Sequence, residues 1–145
     1  MIQQLSVFLE NRSGRAAEMA RLLGESGHNM RALMIADTAE YGVARILCDR
    51  PLSARETLQG AGFGVSLTRV VAVEATDRPG GLADVLELLG REGLNIEYSY
   101  AFVEPGGAGA VYVFRLEEPD RGKEALEAGG FKLLVASDIY EPDAL

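Results

Sequence analysis

The chain has 145 residues, a formal net charge of −8 and 48% hydrophobic residues, a composition typical of a globular protein. The acidic charge disfavours nucleic acid, because its phosphates would repel the protein. No apolar run is long enough to span a bilayer, no secretory leader is visible, and the single cysteine cannot form an intrachain disulfide. We therefore expect a cytoplasmic protein that binds neither nucleic acid nor a membrane.

The first half of the chain alternates between strand and helix patterns. In order, these patterns predict a strand at 5–9, a helix at 14–26, strands at 30–37 and 43–48, a helix at 52–61 and a closing strand that opens at 64–67. A turn is expected near 40–42. Cys48 falls in an alternating apolar stretch, so we expect it to be a buried strand residue.

The second half repeats this order. The patterns predict strands at 70–75, 95–103, 110–116 and 131–136, and helices at 81–92 and 120–128. Glu104-Pro105-Gly106-Gly107 is expected to form a turn that carries two inserted residues. In the strand at 95–103, Tyr98, Tyr100 and Phe102 lie at alternate positions, which predicts a buried face. The alternative is that they line a ligand pocket or a subunit interface.

Two motifs recur at a constant offset of 66 residues, from 11 to 77 and from 27 to 93. Asn11-Arg12-Ser13-Gly14 returns as Asp77-Arg78-Pro79-Gly80, and Gly27-His28-Asn29-Met30 returns as Gly93-Leu94-Asn95-Ile96. The two copies predict an α+β protein with two ferredoxin-like βαββαβ units packed side by side. We expect the units to be residues 1–68 and 69–145, joined by continuous extended chain.

These motifs resemble those of the ACT domain. The first copy is similar to the ACT domain in the regulatory subunit of acetolactate synthase, and the second is closer to the general ACT pattern. The resemblance implies a regulatory unit that binds an amino acid. We expect no cofactor and no metal. The resemblance also implies that ACT units pair into an eight-stranded sheet. The loop after the first strand of one unit and the second-strand start of its partner then contact the ligand.

On this resemblance, the candidate ligand-binding residues come from two loops and two strand starts. They are Asn11, Ser13, Gly14, Asn29, Met30, Asp77, Pro79, Gly80, Gly81, Leu82, Asn95 and Ile96. We expect the site formed by the second loop with Asn29 and Met30 to bind a carboxylate better than the site formed by the first loop with Asn95.

The residue types of the second loop suit an amino acid on their own chemistry. Free N–H groups of Gly80, Gly81 and Leu82 at a helix N-terminus favour a carboxylate. Asp77 can bind an ammonium group, and Asn95 can bond to either end of an amino acid. The alternatives are that Asp77 only caps its helix and that the two asparagines only serve turns.

The first copy departs from the pattern at two positions. Ser13 replaces the proline and is itself a candidate N-cap residue. Arg15 replaces the second glycine and adds bulk and charge. The two sites are therefore expected to be of unequal quality.

The remaining signals are weak. His28, the one histidine, is expected to be a surface residue in a turn, and no set of side chains predicts a catalytic or metal site. The last residues, 139–145, show no pattern and are expected to fray.

Three functions follow from these observations. The first is a freestanding regulatory protein that binds an amino acid. The second is a regulatory subunit that acts in trans on an amino-acid biosynthetic enzyme. The third, an enzyme on a ferredoxin-like scaffold, lacks a recognisable set of catalytic groups. An open edge strand also predicts a homodimer, unless the two units satisfy each other within one chain.

Overall fold

The computed structural model describes residues 1–37, 40–103 and 109–144, which form seven strands and five helices. In chain order they are β1 (Ile2–Glu10), α1 (Arg15–Glu25), β2 (Met30–Asp37), β3 (Tyr41–Cys48), α2 (Pro51–Gly60), β4 (Gly64–Ala75), α3 (Gly81–Arg91), β5 (Ile96–Val103), β6 (Ala110–Leu116), α4 (Pro119–Ala128), β7 (Lys132–Leu134) and α5 (Ala136–Ile139). The predicted α+β class and the repeated βαββαβ order are confirmed.

The chain divides into two units after Thr68. The N-terminal unit contains Gln3–Thr68 and the segment from Ala136 onward, and the C-terminal unit contains Met1–Ile2 and Arg69–Val135. The expected bounds place residues 1–2 in the N-terminal unit and residues 136–145 in the C-terminal unit, each opposite to what the structure shows. Both ends make long-range contacts that no local pattern could indicate.

In the N-terminal unit the strand order is β2-β3-β1-β4. β3 pairs antiparallel with both of its neighbours, β1 and β2. Its Ile46 lies opposite Leu5 on one side and Leu33 on the other. Alternate residues of β1 are buried together with the apolar stripe of α1, in which Met19 and Leu23 are at most 1% exposed. The helical spacing of these residues therefore places them in the core.

In the C-terminal unit the strand order is β7-β4-β6-β5, and all three pairs are antiparallel. The core is built in the same way as in the other unit, from alternate strand residues and one helix face. Its fully buried side chains include Val73, Val85, Leu89, Phe114, Leu116 and Leu126.

Two strands show how the repeat is joined and how it ends. β4 is one strand from Gly64 to Ala75, which confirms the expected continuous extended chain. β7 is only three residues long, Lys132–Leu134, instead of the predicted 131–136. It ends early because the chain turns into α5, where the Tyr140 N–H donates to the Ala136 carbonyl at 2.9 Å.

The turn expected at Glu104-Pro105-Gly106-Gly107 lies outside the described ranges. The turn expected near 40–42 is wrong at two positions, because Tyr41 and Gly42 already belong to β3. Within the described ranges, no helix combines the length and the apolar character needed to cross a membrane.

Candidate functional site

The loop between β1 and α1 and the loop between β4 and α3 follow the same backbone path. We call residues 10–15 the first loop and residues 76–81 the second loop. In each loop the third residue donates its N–H to the carbonyl of the first at 2.8 Å, from Arg12 to Glu10 and from Arg78 to Thr76. The repeat in sequence is therefore also a repeat of local geometry.

Each loop enters its helix through a left-handed glycine. Gly14 is the N-cap of α1 with a φ of 87°, and Gly80 is the N-cap of α3 with a φ of 89°. Neither helix has a side-chain cap within the described structure. The suggestions that Ser13 or Asp77 caps a helix are therefore wrong, because the cap position is held by a residue without a side chain.

The second glycine of the second loop has a packing role. A Cβ at Gly81 would clash with the carbonyl oxygen of Thr76. The Gly81 N–H donates to the Arg78 carbonyl at 3.0 Å, so it is not free as expected. The N–H groups of Leu82 and Ala83 follow in the first turn of α3, where a helix offers no internal acceptor.

Asp77 lies exposed in the second loop. Its carboxylate makes no hydrogen bond or ion pair with the part of the chain that the structure describes. A surface pocket of about 280 Å³ adjoins it, lined by Glu74, Ala75, Thr76, Asp77 and Lys132. Lys132 Nζ lies 3.1 Å from Glu74 Oε2, so the pocket presents carboxylates and an ammonium group together. Pro79, two residues after Asp77 in the chain, is also exposed.

Arg78 is a loop residue that the predicted set omits. Its Nη2 donates to Asp84 Oδ2 at 2.8 Å, and its Nη1 donates to the Pro79 carbonyl at 3.2 Å. These bonds hold a guanidinium group at the start of α3. The sequence did contain a signal for this residue, because Arg78 lies inside the recurring motif.

The first loop is filled by its own side chains. Arg15 stands where the second loop has Gly81, and its Cζ lies 3.8 Å from the centroid of the Phe63 ring. The same guanidinium pairs with Glu18 at 2.8 Å, and only 14% of the Arg15 side chain is exposed. Arg12 pairs with Glu10 at 3.3 Å. Asn11 and Ser13 are exposed around this cluster.

The two predicted strand starts also share one geometry. The Asn29 carbonyl accepts the Asp49 N–H at 3.1 Å, and the Asn95 carbonyl accepts the Glu117 N–H at 3.2 Å. A register shift follows each asparagine, at Met30 in one unit and Ile96 in the other. Both asparagines are exposed, and their side chains form no hydrogen bond with described residues, so they stabilise no turn there.

His28 is buried, which corrects the expectation of a surface residue. It is 3% exposed, and its Nδ1 lies 2.9 Å from the Asp49 carbonyl oxygen. Because a carbonyl only accepts, Nδ1 carries the proton and donates. A histidine between glycine and asparagine gives no apolar pattern, so its burial had no sequence signal.

Cys48 is a buried strand residue, as predicted. Burial raises the pKa of its thiol to about 12, and the nearby Asp49 carboxylate adds to the shift. The thiol is therefore protonated at neutral pH and a poor nucleophile.

Tyr98, Tyr100 and Phe102 lie on one face of β5 and are half-buried, while Glu97, Ser99 and Ala101 are exposed. The predicted alternation is confirmed, although none of the three aromatic side chains is fully buried. Across the described residues, no group of three His, Cys, Asp or Glu side chains could hold a metal ion.

Comparisons with known proteins agree with this architecture. Protein BT0572 from Bacteroides thetaiotaomicron is 39% identical, with a TM-score of 0.89 and 94% of each chain covered. The regulatory subunit of aspartate kinase from Thermus thermophilus is 16% identical, with a TM-score of 0.66 over 88% of this chain and 90% of that one. The corresponding Thermus flavus subunit is also 16% identical, with a TM-score of 0.58 over 87% and 88%. The two kinase subunits show the fold alone.

No curated protein matches the chain. A family model described as an ACT domain pair matches residues 1–140. That match spans both copies of the structural repeat, with its two glycine loops and two asparagine strand starts. The chain therefore belongs to the ACT domain pair family.

Proposed function

We propose that the protein is a regulatory protein that binds a free amino acid through its second loop. The observation that carries this proposal is Asp77, an exposed carboxylate that has no partner among the described residues and adjoins an open pocket. The N–H groups of Leu82 and Ala83 lie a few residues further along the chain. A group for the ligand's ammonium and donors for its carboxylate are thus held on one short segment.

The chemistry of each contact is simple. The ligand's carboxylate accepts from the N–H groups at the start of α3, where the helix dipole favours negative charge. The Arg78 guanidinium lies at the same helix end, where it pairs with Asp84. Asp77 accepts from the ligand's ammonium group, and such charge-assisted hydrogen bonds are among the stronger polar contacts. Gly80 and Gly81 maintain the loop shape that presents these groups.

The first loop is proposed to bind the same ligand weakly or not at all. Asn11 stands where the second loop has Asp77, so a charge for the ammonium group is missing. Arg15 fills the position of Gly81 and is held by Glu18 and Phe63. The contributions of Asn29 and Met30, and of Asn95 and Ile96, that the resemblance implies stay predictions.

A ligand screen tests the proposal directly. The full chain is titrated with each of the twenty amino acids at millimolar concentration, and the melting temperature and the heat of binding are measured. We expect at least one amino acid to raise the melting temperature, because a ligand that binds only the folded state stabilises it. No response to any amino acid would contradict the proposal.

A second candidate function is a regulatory subunit that acts in trans on an amino-acid biosynthetic enzyme. It is favoured by the size of a similar solved chain: the Thermus thermophilus protein, itself a regulatory subunit, is covered over 90% of its length. Affinity purification of the tagged chain from its native cells tests this candidate. Recovery of a catalytic chain in a fixed ratio is expected, and recovery of the tagged chain alone would contradict it.

We also propose that the protein forms a homodimer. β2 is the outer strand of the N-terminal unit, and its Leu33 and Ile35 are 47% and 45% exposed. An outer strand with exposed apolar residues is a common site of self-association. Sedimentation is expected to show twice the chain mass of 15.6 kDa, and a species of 15.6 kDa alone would contradict the dimer.

A further inference from the structure

The segment after α5, residues 140–144, is bound to the N-terminal unit by several polar contacts. The Glu141 N–H donates to Asp49 Oδ1 at 2.8 Å, and the Arg50 N–H donates to the Glu141 carbonyl at 2.6 Å. The hydroxyl oxygen of Tyr140 accepts the Gln3 N–H at 3.1 Å. The expected fraying is therefore wrong for the described part of this segment.

Helix α2 depends on this segment for its N-terminal cap. Its own N-cap residue is Arg50, which has a left-handed φ of 47° and supplies no side-chain cap. Asp143 supplies the cap instead: Oδ2 accepts the Leu52 N–H at 2.9 Å and Oδ1 accepts the Ser53 N–H at 3.1 Å. These are the donors that an N-cap side chain normally satisfies.

The same segment reaches the start of β2 through one residue, Asp49. The Asp49 carboxylate accepts from Glu141 and pairs with Arg31 at 3.3 Å. Its N–H donates to the Asn29 carbonyl at 3.1 Å, and its carbonyl accepts from His28 Nδ1 at 2.9 Å. Asp49 is 6% exposed, so these bonds are shielded from water.

We propose that the segment 140–144 holds Asp49 in place and thereby positions Asn29, the strand-start residue that the family resemblance assigns to the ligand site. Asp49 is then a positioning residue, and Asp143 is the anchor that keeps the segment docked. Docking of the segment and the geometry at Asn29 are coupled. The coupling itself is a property of the folded chain, and its effect on ligand affinity rests on the proposed function.

The coupling follows from the shared bonds. If the segment leaves, Asp49 loses the Glu141 N–H from its carboxylate, and a buried charge with fewer partners is costly. The Asp49 carboxylate then turns towards the water that replaces the segment. Its backbone is bonded on both sides, to Asn29 and to His28, so this movement weakens the start of β2. A segment that only capped α2 would leave the Asn29 bond unchanged.

Amide hydrogen exchange of the full chain without ligand tests the coupling. Asp143→Ala removes both cap acceptors. We expect the amides of Leu52, Ser53, Glu141 and Asp49 to exchange roughly 5- to 30-fold faster, as for the loss of a helix cap. Asp120→Ala, which removes an exposed first-turn carboxylate from α4, is the matched control and should leave these amides unchanged. Asp143→Asn keeps one acceptor and should give a smaller effect at the same amides.

The Asp49 amide separates coupling from simple capping, since its acceptor is the Asn29 carbonyl. Faster exchange at Leu52 and Ser53 with an unchanged Asp49 amide would overturn the proposal, and so would unchanged exchange at Leu52 and Ser53. If Asp143→Ala does not fold, Asp143→Asn decides between these outcomes by the same comparison.

A second experiment measures the melting temperature with and without a mixture of the twenty L-amino acids, each at millimolar concentration. If the mixture raises the melting temperature of the wild type, we expect a clearly smaller rise for Asp143→Ala, since coupled sites bias each other reciprocally. An equal rise for both would overturn the link to the ligand site. No rise for the wild type would contradict the proposed function, while the exchange experiment would still decide whether docking of the segment is coupled to the geometry at Asn29.

Discussion

The first and second loops share their backbone path but differ in what occupies it. Both place a left-handed glycine at the helix start, Gly14 and Gly80. In the second loop, the next residue is a glycine, and Asp77 adjoins an open pocket. In the first, Arg15 packs on Phe63 and pairs with Glu18. The two copies therefore share a loop backbone, but one has side-chain packing where the other has open polar groups.

The largest effect is expected from Gly81→Ala. The added Cβ would clash with the Thr76 carbonyl, and relief of such overpacking costs roughly 1–3 kcal/mol of the free energy of unfolding. Urea denaturation measures this loss. Gly90→Ala, on the same helix with open space around its Cβ, is the control and should be neutral or stabilising. Equal effects of the two variants would show that the second loop does not need its glycine.

The next effect concerns binding. Asp77→Asn removes the charge that we propose binds the ammonium group, so we expect affinity for the amino acid found in the screen to fall about tenfold or more, with little change in stability. Calorimetry measures the affinity. Glu87→Gln, an equal charge change at an exposed position of α3, should leave it unchanged. Unaltered affinity in Asp77→Asn would argue against the second loop as the site.

Arg15→Ala tests the packing of the first loop. It removes the contact with Phe63 and the ion pair with Glu18, which together should stabilise the fold by about 1 kcal/mol. Arg12→Ala is the control, because the Arg12 side chain is 51% exposed and its ion pairs should contribute less. Comparable losses in denaturant unfolding would mean that the Phe63 contact adds nothing.

The last effect is absent at neutral pH and appears only at alkaline pH, as a difference between the units. Cys48 has its pKa raised from 9.0 to about 12, and burial also raises the pKa of Tyr140 in the same unit. The folded state therefore holds these protons longer than the unfolded state, so stability is full below pH 9.0 and falls as the pH rises towards 12. In the C-terminal unit, Leu116 occupies the register position of Cys48 and cannot ionise.

Denaturation series at increasing pH measure this decline. Cys48→Ala should unfold with a shallower dependence on pH above 9.0, although it is less stable overall. Identical pH profiles for the variant and the wild type would contradict the assignment of the decline to Cys48.

The regular elements were predictable because their patterns are local. Strands and helices fall within a few residues of their expected bounds, since period-2 and period-3.6 apolar patterns decide them. The match at an offset of 66 residues then predicts the duplication, and the structure repeats even single hydrogen bonds at that offset, such as Arg12 to Glu10 and Arg78 to Thr76.

The errors have a common cause, which is contact between residues far apart in sequence. Asp143 caps α2 about ninety residues earlier in the chain, and no local pattern links the two. The burial of His28 depends on a carbonyl at Asp49. The expectation that Gly81 offers a free N–H failed because the loop folds back on Arg78. The expectation that Asn29 and Asn95 contact a ligand comes from the family resemblance and stays a prediction.

The two loops differ in their side chains, and we propose that the second binds an amino acid. Calorimetric titration of the wild-type chain with the amino acid that gives the largest thermal shift tests it most directly. We expect one molecule bound per chain and a marked loss of affinity in Asp77→Asn. Two equivalent molecules per chain, or full affinity in Asp77→Asn, would contradict it.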